Sequence, residues 1–157
     1  MRLVLKRGII WAIYELKANA VVSIFLKGCH LMIPNTVLAL IAAKPGRLRD
    51  SLRALLTAIP QIDVVNQVDE GPLALKMVTQ FHPTLVLLDS NLPSSEIQST
   101  LKRIKGELPQ PRCIVLVDND QQQCDANNSG ADAVLVKGFS VANLFGTVEK
   151  LLSVPGG

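Results

Sequence analysis

Residues 84–93 read TLVLLDSNLP, an apolar run that ends on a carboxylate, Asp89. Other apolar runs deliver charge in the same way. CIVLV (113–117) runs into Asp118, AVLV (133–136) runs into Lys137, and VLALIA (37–42) runs into Ala43 and Lys44. If these runs are strands, one edge of the protein carries two carboxylates and two ammonium groups. Ionised Asp89 and Asp118 only accept hydrogen bonds. Opposite charges 4 Å apart attract by roughly 4 kcal/mol at an effective dielectric of about 20, before desolvation is counted. Lys44 and Lys137 together are thus expected to hold Asp89 and Asp118 in a neutral pocket with no metal ion.

Other chemistries find little support. AAKPGR after the first run is neither a dinucleotide fingerprint nor a phosphate-binding loop. Cys29, Cys113 and Cys124 have no metal-ligand spacing and no disulfide framework, so inert, reduced thiols are expected, with Cys113 in the core. His82, beside Pro83, has no serine or cysteine nucleophile placed to use it and reads as a surface residue; His30 lies in a segment of different character. No catalytic residue, metal site or cofactor is expected.

The elements that must position the edge alternate along the chain. Strands are expected at 37–42, 62–65, 84–88, 113–117 and 133–136. Between the first two, 47–59 places Leu48, Leu52, Leu55, Leu56 and Ile59 on one helical face. Pro72 opens a second helix, and Ser95 with Gln98 resembles a capping box for a third that stops near Gly106. Ser140 caps a last helix through Leu152. Between the fourth and fifth strands, Asn127, Asn128 and Gly130 suit a turn better than a helix, so the fourth helix is expected to be stunted. Strands that are apolar throughout are buried on both faces, which marks a parallel sheet with helices on each side. The fold expected is a doubly wound α/β sandwich, with ligands at the carboxyl ends of the strands.

The chain has 157 residues, 48% hydrophobic and 18% charged, which suits one folded domain. Residues 1–33 stand apart as an N-terminal extension, helical or poorly ordered, ahead of a domain at 34–154. Residues 1–31 hold five basic residues and one acid; the remainder holds eleven basic and twelve acidic residues. The domain itself therefore lacks the cationic surface of a nucleic-acid binder, and 4% aromatics gives few stacking platforms. Glu15, Lys17 and Lys27 interrupt any membrane span or signal peptide. A cytoplasmic protein with no membrane or direct nucleic-acid partner is expected.

From Val37 to Leu152 the sequence resembles the response-regulator receiver family. HPTLVLLDSNLP resembles its third strand and phosphoacceptor loop, GADAVLVKGF its fifth strand, and LIAAKPGRLRDSLRALL the first strand and helix of receivers that precede a helix-turn-helix output domain. The resemblance implies a flavodoxin-like, five-stranded parallel sheet of order 2-1-3-4-5. It places Asp89 at the phosphoacceptor position and Lys137 at that of the phosphate-pairing lysine.

Other positions depart from the family. The acidic pair that holds Mg²⁺ with the phosphoacceptor falls on Ala43 and Lys44. The Thr or Ser after the fourth strand is Asp118, which cannot donate and repels a phosphoryl group. The switch aromatic is Val134, and Lys-Pro is Lys137-Gly138. The resemblance and its departures imply a stand-alone, degenerate receiver (a pseudo-receiver) that works as a protein-interaction module in signalling without Mg²⁺-dependent phosphorylation. The alternative is a single-domain response regulator phosphorylated on Asp89. A small-ligand sensor at the strand tips and a membrane-tethered adaptor are further readings. Expected partners are a histidine kinase or a separate output protein, or a second copy through the last helix and fifth strand.

Overall fold

A computed structural model describes residues 36–107 and 109–154. All described elements lie in the unit Val37–Gly157. The extension expected at 1–33, with Cys29 and His30, lies outside the described residues.

Among the described residues, five strands alternate with five helices: β1 Val37–Ala42, α1 Arg47–Thr57, β2 Ile62–Val68, α2 Gly71–Phe81, β3 Leu85–Asp89, α3 Ser94–Lys105, β4 Arg112–Val117, α4 Asp120–Asn128, β5 Ala133–Val136 and α5 Val141–Ser153. The strands form one sheet of order β2-β1-β3-β4-β5, and every pairing is parallel. The expected doubly wound sandwich is what forms.

The apolar runs explain why. Successive side chains along a strand point to opposite faces. Leu40, Ala42, Val86, Leu88, Val115 and Val117 pack with α2, α3 and α4, through Ala74, Val78, Leu101, Ile104 and Ala126. Ala39, Ile41, Leu85, Leu87, Ile114 and Leu116 pack on the other face with α1 and α5, through Leu52, Leu56, Leu144 and Val148. A strand alternating polar and apolar residues would leave one helical layer without a partner. β5 is one of the two edge strands, with β2 at the other edge, and Val136 on it is 44% exposed.

Several boundaries differ from expectation. β2 runs on to Val68, because its backbone keeps pairing with β1 past a register shift between Ala39 and Leu40. α1 stops at Thr57, ahead of Pro60. Ser95 lies inside α3, whose N-cap position is Pro93, with no side-chain cap hydrogen bond from it. α4 is a nine-residue helix, the shortest described, and it includes Asn127 and Asn128. Its start outweighs its poor composition: Asn119 Oδ1 accepts from the Gln122 N–H at 3.0 Å, and Asp120 sits in the first turn. Gly130, at φ +96°, then turns the chain into β5.

His82 is exposed at the end of α2, as its sequence context suggests. It holds the left-handed conformation, φ 46° and ψ 55°, that glycine usually takes at a helix end. Cys113 is fully buried in β4, and burial pushes its thiol pKa up to about 12. That is the inert core thiol expected, since the thiolate is the reactive form.

Candidate functional site

Asp89 is the last residue of β3 and lies opposite Leu116 of β4. The chain turns at once. The Ser90 N–H still reaches the Leu116 carbonyl at 2.8 Å, and the Leu92 N–H bonds the Asp89 carbonyl at 3.1 Å. The turn brings the Asn91 N–H to Asp89 Oδ1 at 3.1 Å, a side chain binding its own backbone two residues on. Asp89 is only 4% exposed. A carboxylate buried this deeply needs a cation.

Lys137 supplies the cation. Its backbone N–H donates to the Val117 carbonyl at 2.8 Å, which fixes the tip of β5 beside that of β4. Strand parity sends Asp89, Asp118 and Lys137 to the same face. The Lys137 ammonium lies 2.5 Å from Asp89 Oδ1 and 3.1 Å from Asp118 Oδ2. It also donates to Ser90 Oγ at 3.2 Å. Asn91, with its amide in the orientation its partners dictate, accepts from the ammonium at 3.0 Å and donates to Asp118 Oδ2 at 3.2 Å.

Asp118 follows β4 and is more open, its side chain 44% exposed. Its N–H donates to Gln122 Oε1 at 2.7 Å, and its Oδ2 accepts from Ser90 Oγ at 3.1 Å. The hydrogen bond from Lys137 holds its carboxyl below the usual carboxylate range. Desolvation opposes that, while the Ser90 hydrogen bond and the ammonium charge add to it. An ionised Asp118 is therefore the resting form near neutral pH.

The tip of β1 contributes differently. The β1–β3 register runs to Ala42 opposite Leu88, so its continuation sets Ala43 beside Asp89. Ala43 is 1% exposed and packs in the cluster beneath α1 and α5. Lys44 is exposed and forms no ion pair with any described residue. The pocket therefore holds one lysine rather than the two expected. β1 lies beyond β3 from Lys137, and the Asp89 and Asp118 oxygens already converge on Lys137. Nothing draws Lys44 out of water.

Val134 is partly buried against the layer of α2, α3 and α4. A cavity of about 50 Å³ lies between α3 and α4, lined in part by Ser90, Leu101, Val117, Gln122 and Ala126. Small-molecule sites usually enclose about 300–1,000 Å³, so this space is too small for a metabolite. It gives the small-ligand reading no support.

Sequence reasoning missed Ser90, Asn91, Gln122 and Arg49. The first two were within reach, since DSN places a hydroxyl and an amide directly after the buried carboxylate. Arg49 of α1 reaches back to the Ala43 carbonyl at 3.5 Å, while its Nε is buried with no hydrogen-bond partner among the described residues. No sequence signal marks that contact.

A methyl group at 43 and an ammonium at 44 do not fit a divalent cation on the β1 side of Asp89, which would need oxygen ligands there. Among the described residues, no group of three or more His, Cys, Asp or Glu is arranged to hold a metal. No described helix is long and apolar enough to cross a membrane.

Comparison with known proteins gives a consistent match. A family model described as the response regulator receiver domain matches residues 40–149. Protein-glutamate methylesterase/protein-glutamine glutaminase 1 of Syntrophus aciditrophicus is 37% identical over 93 residues, covering 57% of this chain and 27% of that protein. The nitrate/nitrite response regulator protein NarL of Escherichia coli is 28% identical over 99 residues, covering 62% of this chain and 46% of that protein. The aligned part thus spans less than half the length of these relatives. Among solved structures, a LuxR-family two-component response regulator from Aurantimonas superposes with a TM-score of 0.68 at 19% identity, covering 75% of this chain and 86% of that one. The response regulator domain of Thermotoga maritima CheB gives 0.66 at 18%, covering 76% and 98%.

Proposed function

The chain belongs to the response-regulator receiver family, and from that premise we propose that it is a degenerate receiver, a protein-interaction module of two-component signalling that works without Mg²⁺-dependent phosphorylation. The observation that carries this reading is the occupancy of the pocket. Lys137 already lies against Asp89 and Asp118, and the β1 side offers a buried methyl group and an exposed ammonium where a divalent cation would need oxygens. Asp118 adds a second negative charge beside the carboxylate that an incoming phosphoryl group would have to approach.

On this reading the partner is a protein, either a histidine kinase or a separate output protein, and the setting is cytoplasmic. The face formed by β5 and α5 suits docking or self-association. Val136 and Val141 are 44% and 49% exposed there, an apolar surface on an edge strand and the helix that follows it.

A second reading rests on Asp89 itself. Its contacts with described residues fall on Oδ1, which leaves Oδ2 to act as a nucleophile. The chain would then be a response regulator phosphorylated on Asp89 by a histidine kinase. One experiment separates the two. After incubation with acetyl phosphate and Mg²⁺, intact-mass spectrometry is expected to find the protein unmodified; stoichiometric phosphorylation of Asp89 would establish the second reading instead.

A further inference from the structure

The two edges of the sheet are finished differently. β2 carries Asp63, Asn66 and Gln67, its register against β1 shifts between Ala39 and Leu40, and Asn66 Oδ1 already takes the Gln67 N–H at 2.8 Å. Polar side chains, an irregular register and an occupied donor all discourage a further strand. β5 has none of these. Its residues, AVLV, are apolar, and they hold an unbroken register against β4 from Ala133 to Val136. Shortness is its one protection.

Neither helical layer closes over this edge. β3 is buried throughout, whereas every residue of β5 keeps some exposure, and Val136 reaches 44%. Among the described residues, β5 has a neighbouring strand on the β4 side only. Backbone groups on its other side therefore face outward, beside the exposed side chains of Val136 and Val141. Water satisfies such backbone groups, but covering the aliphatic side chains gains free energy.

We propose that the outer edge of β5 pairs with β5 of a second copy of this chain, antiparallel and about a two-fold axis, so that the two sheets become one. The inference rests on the interaction-module reading above and names the occupant and the mode of contact. Charge selects both. At the start of β5, Lys105 and Arg112 outweigh Asp132; at its end, Asp89 and Asp118 outweigh Lys137. An antiparallel copy brings the positive end of one strand to the negative end of the other, at both ends of the pairing. Parallel copies would set like against like. A two-fold pairing of this kind passes through one residue that faces itself. With Leu135 there, Val136 lies opposite the partner subunit's Val134, and aliphatic side chains meet on both faces of the joined sheet. So short a pairing belongs with weak, transient interfaces of under about 1,200 Å² in total.

Sedimentation velocity of the full chain across a wide concentration range, with amide hydrogen exchange at both ends of that range, tests the pairing. Wild type should pass from monomer to dimer. The amides of β5 should then exchange at least about threefold more slowly, while those of β2 stay unchanged. Val136→Lys puts a charge on an exposed edge position and should weaken the dimer at least about tenfold. Gln61→Lys places the same charge at an exposed position beside the other edge and should leave the dimer intact. The exchange arm needs no variant, so the test does not depend on Val136→Lys folding. A chain that stays monomeric throughout overturns the proposal and leaves the edge to a strand of another protein. A dimer that survives Val136→Lys, or that forms without slowing exchange in β5, overturns it as well. None of these readouts involves phosphorylation, so the acetyl phosphate experiment decides the receiver reading separately.

Discussion

The Lys137 ammonium lies 2.5 Å from Asp89 Oδ1, and both side chains are largely buried, 16% and 5% exposed. The same ammonium reaches Asp118, Ser90 and Asn91. One side chain on β5 thus ties down the tip of β3, the turn after it and the tip of β4.

Removing the ammonium should therefore be costly. Lys137→Ala leaves Asp89 buried with its charge uncompensated, and breaking a buried pair from one side typically costs 3–5 kcal/mol. The expected loss is about 3 kcal/mol in urea unfolding, towards the low end because Lys137 retains some exposure. A loss under about 1 kcal/mol would mean that water already carries the Asp89 charge.

Asp118 predicts a pH dependence with a definite sign. Its folded pKa lies below the ordinary 3.8. Its contribution is thus fully present above about pH 4 and fades as pH falls through the lower folded value. Wild type should exceed Asp118→Asn in stability by a constant margin from about pH 5 to pH 7, and the margin should shrink below about pH 4. With the side chain 44% exposed, that margin should stay under about 1 kcal/mol. Urea midpoints at each pH check this; a margin that grows on acidification would contradict the direction of the shift.

At the opposite end of the sheet, Asp132 organises a second cluster. Its Oδ2 lies 2.7 Å from the Lys105 ammonium and accepts from the Cys113 N–H at 2.7 Å, while Oδ1 meets Arg112 at 3.5 Å. Asp132→Ala strands a backbone donor of β4 and a cation of α3, both largely out of water. A loss of about 2 kcal/mol follows, from one unsatisfied donor and one weakened ion pair. Asp132→Asn keeps the acceptor and should recover about half of it. Equal losses in the two variants would show that charge alone matters.

His82 offers a gain instead. A side chain at φ 46° is strained where glycine is not. Its imidazole is exposed, and no ion pair among the described residues involves it. His82→Gly should stabilise by about 0.5–1 kcal/mol, the left-handed penalty less the entropy glycine adds to the unfolded chain. A rise in Tm checks this; a fall would place His82 in contacts beyond its backbone role.

The sheet was legible in the sequence because β1, β3 and most of β4 are apolar on both faces, the pattern of a doubly covered parallel sheet, whereas the edge strand β2 carries Asp63, Asn66 and Gln67 and was read only in part. The pocket was legible in part for the same reason: strand tips put Asp89, Asp118 and Lys137 at one edge, whatever the loops do. Lys44 was misjudged. Charge counting treats two ammonium groups at one edge as equivalent, but position across the sheet decides which reaches the carboxylates. α4 is short, as expected, but Asn127 and Asn128 lie inside it rather than in a turn: propensity penalises asparagine, whereas the Asn119 cap acts at one end and outweighs that. Ser90 and Asn91 follow Asp89 directly and were within reach, whereas the Arg49 contact with the Ala43 carbonyl depends on tertiary geometry that no residue pattern encodes.

The absence of oxygen ligands at the tip of β1 leads to the sharpest test of degeneracy. Ala43 continues the register beside Asp89 and is fully enclosed. In Ala43→Asp, a carboxylate replaces that methyl group next to a carboxylate already paired with Lys137. Without metal, two like charges in a dry setting should lower stability by more than about 2 kcal/mol. Mg²⁺ can then bridge the introduced carboxylate and the open oxygen of Asp89, and at about ten times Kd mass action returns about 1.4 kcal/mol. Lys44→Ala is the companion control: the residue is exposed, and its removal should change stability by less than about 0.5 kcal/mol. Chemical denaturation of both variants in EDTA and in MgCl₂ reads the outcome. If Ala43→Asp ignores Mg²⁺, the tip of β1 is not what decides metal binding, and the degenerate reading has to rest on Lys137 and Asp118 instead.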